Sequence, residues 1–297
     1  MPRNITNIHD KFIKQILSDK ELAIDFLQQY LPESLVSSLD FDTLEQQDNS
    51  YITDQLKTSF SDLLWRVKMK DKENLQISLL LEHKSSADPK TAFQLLEYLA
   101  LGYQKQLREK KKPELIVPIL YYHGKKNWVF KPLEKYFTTY PDFLKKYIPV
   151  FSSEFINLAE LSPEQIYALK NGLLGSAIML QKYCFDPEEL ATHMDRIVEN
   201  LNPYLDSNVT NSIFVYLITG IRLEKIYLAD AVKKLPDEMS TKVMTIYDQL
   251  IQEGMEKTLQ KTVLNAYDAG IDIATIRIIT GEGEEKIKRI LAQNNRI

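Results

Sequence analysis

Two carboxylates and an amine sit at the ends of a stretch with two apolar arms, SDLLWRVKMKDKENLQISLLLEHKSS, from Ser61 to Ser86. They are Asp62, Glu82 and Lys84. The stretch reads as two strands around a charged loop, Asp71-Lys72-Glu73. Side chains on a strand alternate faces. Leu63, Trp65, Val67 and Met69 therefore share one face of the first arm, and Asp62, Leu64, Arg66 and Lys68 the other. In the second arm Leu75, Ile77, Leu79 and Leu81 lie opposite Gln76, Ser78, Leu80, Glu82 and Lys84. The apolar sets meet only if even residues face even residues, because a slip of one residue flips every side chain. A register centred on Lys72 does this. It sets Asp62 across from Glu82, with Cβ atoms about 4.5–5.5 Å apart, and puts Lys84 two residues further along that face. The hairpin is expected to bury one face and wet the other.

Two carboxylates at that separation repel each other, and a divalent cation relieves the conflict. Mg²⁺ prefers octahedral oxygen ligands and keeps several waters, so one or two carboxylates suffice. An adjacent lysine can orient or help deprotonate a water, or stabilise charge on phosphate. That combination suits metal-assisted phosphodiester hydrolysis. The same three charges also make an ion cluster at a strand end, and alternation alone does not choose between the two. His83 falls on the apolar face and reads as a packed core histidine rather than a ligand. Gln94 and Tyr98 are four apart on the next helix, hence on one face. From there Gln94 can reach back toward the lysine or a metal-bound water.

The surrounding elements must hold these groups. His9-Asp10 opens an amphipathic helical stretch with Phe12, Ile13 and Ile16 on one side. Ser18 is expected to cap a second helix that ends at Pro32. Residues 40–60 are polar and mixed and read as a connection with short structure. After Pro89 a helix carries Phe93, Leu96, Ala100, Tyr103 and Leu107 at helical spacing, and Pro113 stops it. ELIVPILYYHG reads as a buried strand that turns at Gly124. From about residue 130 the signals are mostly helical. They include an N-cap at Ser162 followed by Pro163, a long helix over 237–268 and two short helices around Gly281. Helix, hairpin, helix, strand predicts an α/β layer with a mixed sheet. Residues 1–150 are read as one domain and residues 151–297 as a helical region, with no low-complexity linker to mark the boundary.

Composition narrows the function classes. The 297 residues are 44% apolar and 26% charged, ordinary for a soluble globular protein. No apolar run is long enough to span a bilayer, MPRNITNIHDKFIKQIL lacks a signal-peptide apolar core, and Cys184 is a single cysteine. The expectation is a cytoplasmic protein with no membrane partner. The net charge of −4 hides an asymmetry: residues 105–146 carry 11 Lys and Arg against 4 Asp and Glu. Arg108, Lys110, Lys111, Lys112, Lys125 and Lys126 are candidate contacts to a phosphate backbone, although a lysine-rich face can also be plain solvation.

The spacing Asp62-x19-Glu82-x-Lys84, followed by Gln94-x3-Tyr98, resembles the PD-(D/E)XK nuclease superfamily. HDKFIK at 9–14, DLLWRV at 62–67, LLLEHKSS at 79–86, LLEYLALGY at 95–103 and PILYYHGKKNW at 118–128 together resemble the Rpn family of recombination-promoting nucleases. The likeness is close over residues 8–130 and looser beyond. It implies a restriction-endonuclease-like core and a DNA endonuclease dependent on Mg²⁺, Mn²⁺ or another divalent cation. It gives Asp62 and Glu82 the metal-ligand positions and Lys84 the catalytic lysine position. Gln94 stands where related nucleases carry an accessory polar residue, often arginine in this family. The family's His-Asp pair corresponds to His9-Asp10, near the site, though Asp10 reads as readily as a helix N-cap. Tyr98 is a further accessory residue. The tail GIDIATIRIITGEGEEKIKRIL resembles a helix-turn-helix-like pair, but Glu282, Glu284 and Glu285 at its turn would repel phosphate. Packing or dimerisation is the expectation for it. A homodimer would supply two sites for two strands. The alternative is a catalytically idle nuclease-fold protein that binds DNA or another protein.

Overall fold

The computed structural model describes residues 5–47, 63–70, 72–110, 112–221, 227, 230 and 232–297. Helices α1 (Ile5–Leu17), α2 (Lys20–Tyr30) and α3 (Glu33–Ser38) come first. Among the described residues a five-stranded mixed sheet follows, its strands side by side in chain order: β1 (Leu39–Gln47), β2 (Leu63–Met69), β3 (Lys72–Lys84), β4 (Leu115–Tyr122) and β5 (Glu154–Asn157). The first three strands are antiparallel, and β4 and β5 continue parallel to β3. A parallel step needs a crossover, and helix α4 (Thr91–Arg108) supplies it between β3 and β4.

The hairpin register is the one that alternation demands. Leu63 pairs with Leu81, Leu64 with Leu80, Trp65 with Leu79, Val67 with Ile77 and Lys68 with Gln76, all centred on Lys72. A register shift after Lys68 then pairs Met69 with Lys72. Lys72 and Glu73 thus belong to β3 rather than to a three-residue loop. Such a bulge tightens the turn and leaves the rest of the register intact.

The expected wet face is not wet. Leu63, Trp65, Val67, Ile77, Leu79 and Leu81 are buried, but so are Leu64, Ser78, Leu80 and Glu82 on the opposite face. Helix α4 covers that second face, where Leu64 and Leu80 pack with Leu95, Tyr98, Leu99 and Ile116. The helix is rotated from the expected face. Ala92, Leu95, Tyr98 and Leu99 are buried, whereas Phe93 and Leu107 are 43% and 61% exposed. On the other side of the sheet, Phe26 of α2 meets Tyr121 of β4 edge on.

Several local expectations change. Helix α1 starts at Ile5, so Asp10 lies inside it rather than at its N-cap. Asp19 caps α2 by accepting from the Glu21 and Leu22 amides, while Ser18 Oγ donates to the Lys14 carbonyl. Ser162 does cap α5 (Pro163–Tyr167), in a reciprocal capping box with Gln165. Strand β1 lies in the region read as a connection, and β5 in the region read as helical. A boundary near residue 150 would cut β5 from its sheet. The chain divides instead into Met1–Leu235 and Pro236–Ile297.

The first unit continues with α6 (Gly172–Lys182), α7 (Pro187–Leu201) and α8 (Asn208–Thr219). The second unit is α9 (Asp237–Asp268), α10 (Ile273–Thr280) and α11 (Glu284–Gln293), built around Val263, Ile276, Ile287 and Leu291. Gly281 ends α10 at φ +70°, a left-handed conformation that glycine adopts without a Cβ clash. Among the described residues no helix is long and apolar enough to cross a membrane.

Candidate active site

The end of β3 brings three of the expected residues together. Glu82 and Lys84 are two apart on one strand, so their side chains project from the same face. The Lys84 ammonium lies 3.0 Å from Glu82 Oε1. It also donates to Gln94 Oε1 at 2.7 Å. Gln94 sits in the first turn of α4, and the packing of Leu95 and Tyr98 on Leu80 sets the helix at that distance. Tyr98 is buried in this apolar cluster one turn further along.

The geometry adds a residue that the strand pattern did not flag. Asp88 Oδ2 lies 3.7 Å from the Lys84 ammonium, and Asp88 Oδ1 accepts from the Lys90 amide at the start of α4. The only sequence signal was its position four residues after Lys84. Glu82 is 3% exposed. A carboxylate that far from water needs a cation, and removing its partner from such a buried pair typically costs about 3–5 kcal/mol.

Asp62 and Lys111 lie outside the described residues. Of the other basic candidates, Arg108, Lys110 and Lys112 are exposed at the far end of the sheet. There Leu115 pairs with Ile77, seven strand positions from the pair of Lys84 with Tyr122, a span of roughly 23 Å at the rise of a β-strand. Lys125 and Lys126 follow β4 at the same end as Lys84. Lys126 is exposed, and Lys125 pairs with Asp186 at 3.0 Å.

His9 and Asp10 stand behind the sheet. Asp10 pairs with Lys14 at 2.8 Å and lies 3.7 Å from His83 Nδ1. His83 points away from Glu82 and Lys84 and stacks on His123 with ring centroids 4.6 Å apart. His9 packs against His123 at 5.3 Å, and its Nδ1 lies 2.6 Å from Tyr216 Oη. His83 is thus a packed core histidine. Burial lowers the pKa of His9 and His83, and brings that of His123 down to about 3. These rings are neutral at physiological pH.

Among the described residues no three His, Cys, Asp or Glu side chains converge as a metal cage. The donors that meet at the end of β3 are carboxylates, which match hard cations such as Mg²⁺ or Mn²⁺ rather than thiolate-seeking metals. A buried carboxylate, a lysine and an orienting amide at one strand end can bind an electrophile, place a water and receive negative charge.

The family described as "Putative transposase, YhgA-like" matches residues 7–211. Recombination-promoting nuclease RpnA of Escherichia coli (strain K12) is 26% identical over 290 residues, covering 94% of this chain and 95% of that protein. Recombination-promoting nuclease RpnD of Escherichia coli O157:H7 is 32% identical over 121 residues, 40% of this chain and 46% of that protein. A third relative, the inactive recombination-promoting nuclease-like protein RpnE of strain K12, is 36% identical over 117 residues, 39% of each chain. No solved structure matches the chain.

Proposed function

The chain belongs to the YhgA-like family, and from that membership we propose that it is a metal-dependent DNA endonuclease acting in recombination. The observation that carries the reading is the meeting of Glu82, Lys84 and Gln94 at the end of β3. The names of RpnA and RpnD, both recombination-promoting nucleases, support it.

In this reading Asp62 and Glu82 hold Mg²⁺ or Mn²⁺. When bound, the ion supplies charge neutralisation at the phosphate and a more acidic water. Glu82 holds the Lys84 ammonium on one side and Gln94 on the other. So placed, Lys84 orients the attacking water and donates to the phosphate oxygens as charge develops on them. DNA is the substrate and the cytoplasm the place of action. Lys126 contacts phosphates beside the site, while Arg108, Lys110 and Lys112 contact a duplex running along the sheet. The separation of roughly 23 Å is less than one turn of B-DNA, about 34 Å. A homodimer would present two sites to two strands.

A specific observation favours a second reading, a binding module without cleavage: RpnE matches this chain and is named inactive. Plasmid nicking separates the two. The wild-type protein is expected to nick supercoiled DNA with Mg²⁺ or Mn²⁺ and not with EDTA. Asp62→Ala and Lys84→Met should bind the plasmid without cutting it, each checked for an intact thermal transition. Nicking that persists in both variants would remove the site assignment. Binding without cleavage by the wild type under every metal would establish the second reading.

A further inference from the structure

The segment joining β4 to β5 leaves the sheet at the active-site end, beside the pair of Lys84 with Tyr122. Its root is packed. Trp128 meets Tyr122 and Phe155 edge on at 5.0 and 5.5 Å, and Asn157 Nδ2 donates to Asn127 Oδ1 at 2.8 Å. Tyr136 Oη donates to the Pro89 carbonyl at 2.6 Å. That bond ties the segment to the loop between Lys84 and α4.

Beyond the tie, the burial pattern reverses. Tyr140, Phe143 and Tyr147 are 54%, 71% and 71% exposed. Burial of aromatic rings is strongly favourable, and here three rings within eight residues mostly forgo it. Lysines accompany them: residues 131–147 hold four lysines against two acidic residues, and of the four Lys145 pairs with Asp142. Lys131, Lys135 and Lys146 are exposed. The Lys146 ammonium lies 5.1 Å from the centre of the Tyr147 ring, and that of Lys131 lies 4.2 Å from the Tyr136 ring.

We propose that residues 131–147 form a platform for single-stranded DNA beside the cleavage site, with Tyr140, Phe143 and Tyr147 stacking on bases and the lysines on phosphates. Aromatic faces interleaved with ammonium groups match the alternation of base and phosphate along a strand. A duplex hides its base faces inside the stack, so exposed rings select an unpaired strand. The excess of lysine favours a polyanion over an apolar protein surface. The inference rests on the nuclease reading and narrows its substrate to DNA with an unpaired stretch next to the cut.

The test is fluorescence anisotropy with the full chain in EDTA at low salt. The probes are a labelled mixed-sequence oligonucleotide of about 20 nucleotides and the duplex of the same sequence. The single strand should bind more tightly. Phe143→Ala and Tyr147→Ala should each weaken it about fivefold to a hundredfold, the range for losing one base stack, and leave duplex affinity within about twofold. Phe143→Trp should retain binding. Single-strand affinity unchanged in a combined Tyr140→Ala, Phe143→Ala, Tyr147→Ala protein would overturn the platform. So would a wild-type protein that ignores single strands, including one that binds anionic lipid vesicles through these rings. The assay holds no metal, so its result is independent of cleavage. Loss of binding in the alanine variants supports the platform even if Lys84 plays no part in hydrolysis. Normal nicking with no ring dependence keeps the nuclease reading and removes the platform.

Discussion

At the scale of single residues, the site turns on how Lys84 is held. Glu82 and Gln94 both lie within hydrogen-bond distance of its ammonium. Gln94→Leu keeps the volume and removes the acceptor. Single-turnover cleavage should fall about 10- to 100-fold, the usual range for a residue that orients another, with the melting temperature little changed; an unaltered rate would take Gln94 out of the site. His123 gives a separate prediction. Burial brings its pKa down to about 3, against 6.5 unfolded, so the unfolded chain takes up the proton first. Its neutral form therefore contributes stability that is fully present above about pH 6.5 and is lost as pH falls toward 3, by at most about 1.4 kcal/mol per pH unit. Denaturant unfolding at pH 7.5 and 5.5 should show the loss, and His123→Phe should lessen it; an equal loss in the variant would contradict this. Glu82, Lys84 and Gln94 were legible because a two-residue and a helical period put them within reach of one another. Asp88 was not, since loop residues follow no period. The stack of His83 on His123 joins residues 40 apart, which no local pattern encodes.

At the scale of elements, alternation specified the hairpin because both arms carry long, regular apolar sets. The register it required is the one observed from Leu63 with Leu81 to Lys68 with Gln76. Strand β1 escaped because LDFDTLEQQ is rich in Asp, Glu and Gln, which are poor strand formers. Strand β5 escaped because it is four residues long and gains its place from β4. The second face of the hairpin is dry for a tertiary reason: Leu64 and Leu80 interrupt the polar alternation, and α4 packs over them. Leu80→Ala should therefore destabilise the first unit by about 2–5 kcal/mol, the range for a leucine cavity in a packed core. Denaturant unfolding measures this directly, and a change below 1 kcal/mol would mean that α4 does not seal the sheet as described.

At the scale of the whole molecule, the described residues divide at Leu235 and Pro236 rather than near residue 150. A sequence reading places boundaries where composition changes, but here the change from mixed to helical falls inside one unit. Strand β5 completes the sheet, and Tyr216 of α8 touches His9 of α1 across most of the chain. The match to the YhgA-like family spans residues 7–211, inside that first unit. We propose that the end of β3 is the hydrolytic centre of this unit. Glu82→Gln probes this with little steric disturbance, since it keeps size and shape and removes only the charge. Assayed on supercoiled plasmid with Mn²⁺, the variant should bind DNA, unfold as the wild type does and fail to nick. Nicking at the wild-type rate by a folded Glu82→Gln protein would place hydrolysis elsewhere in the chain.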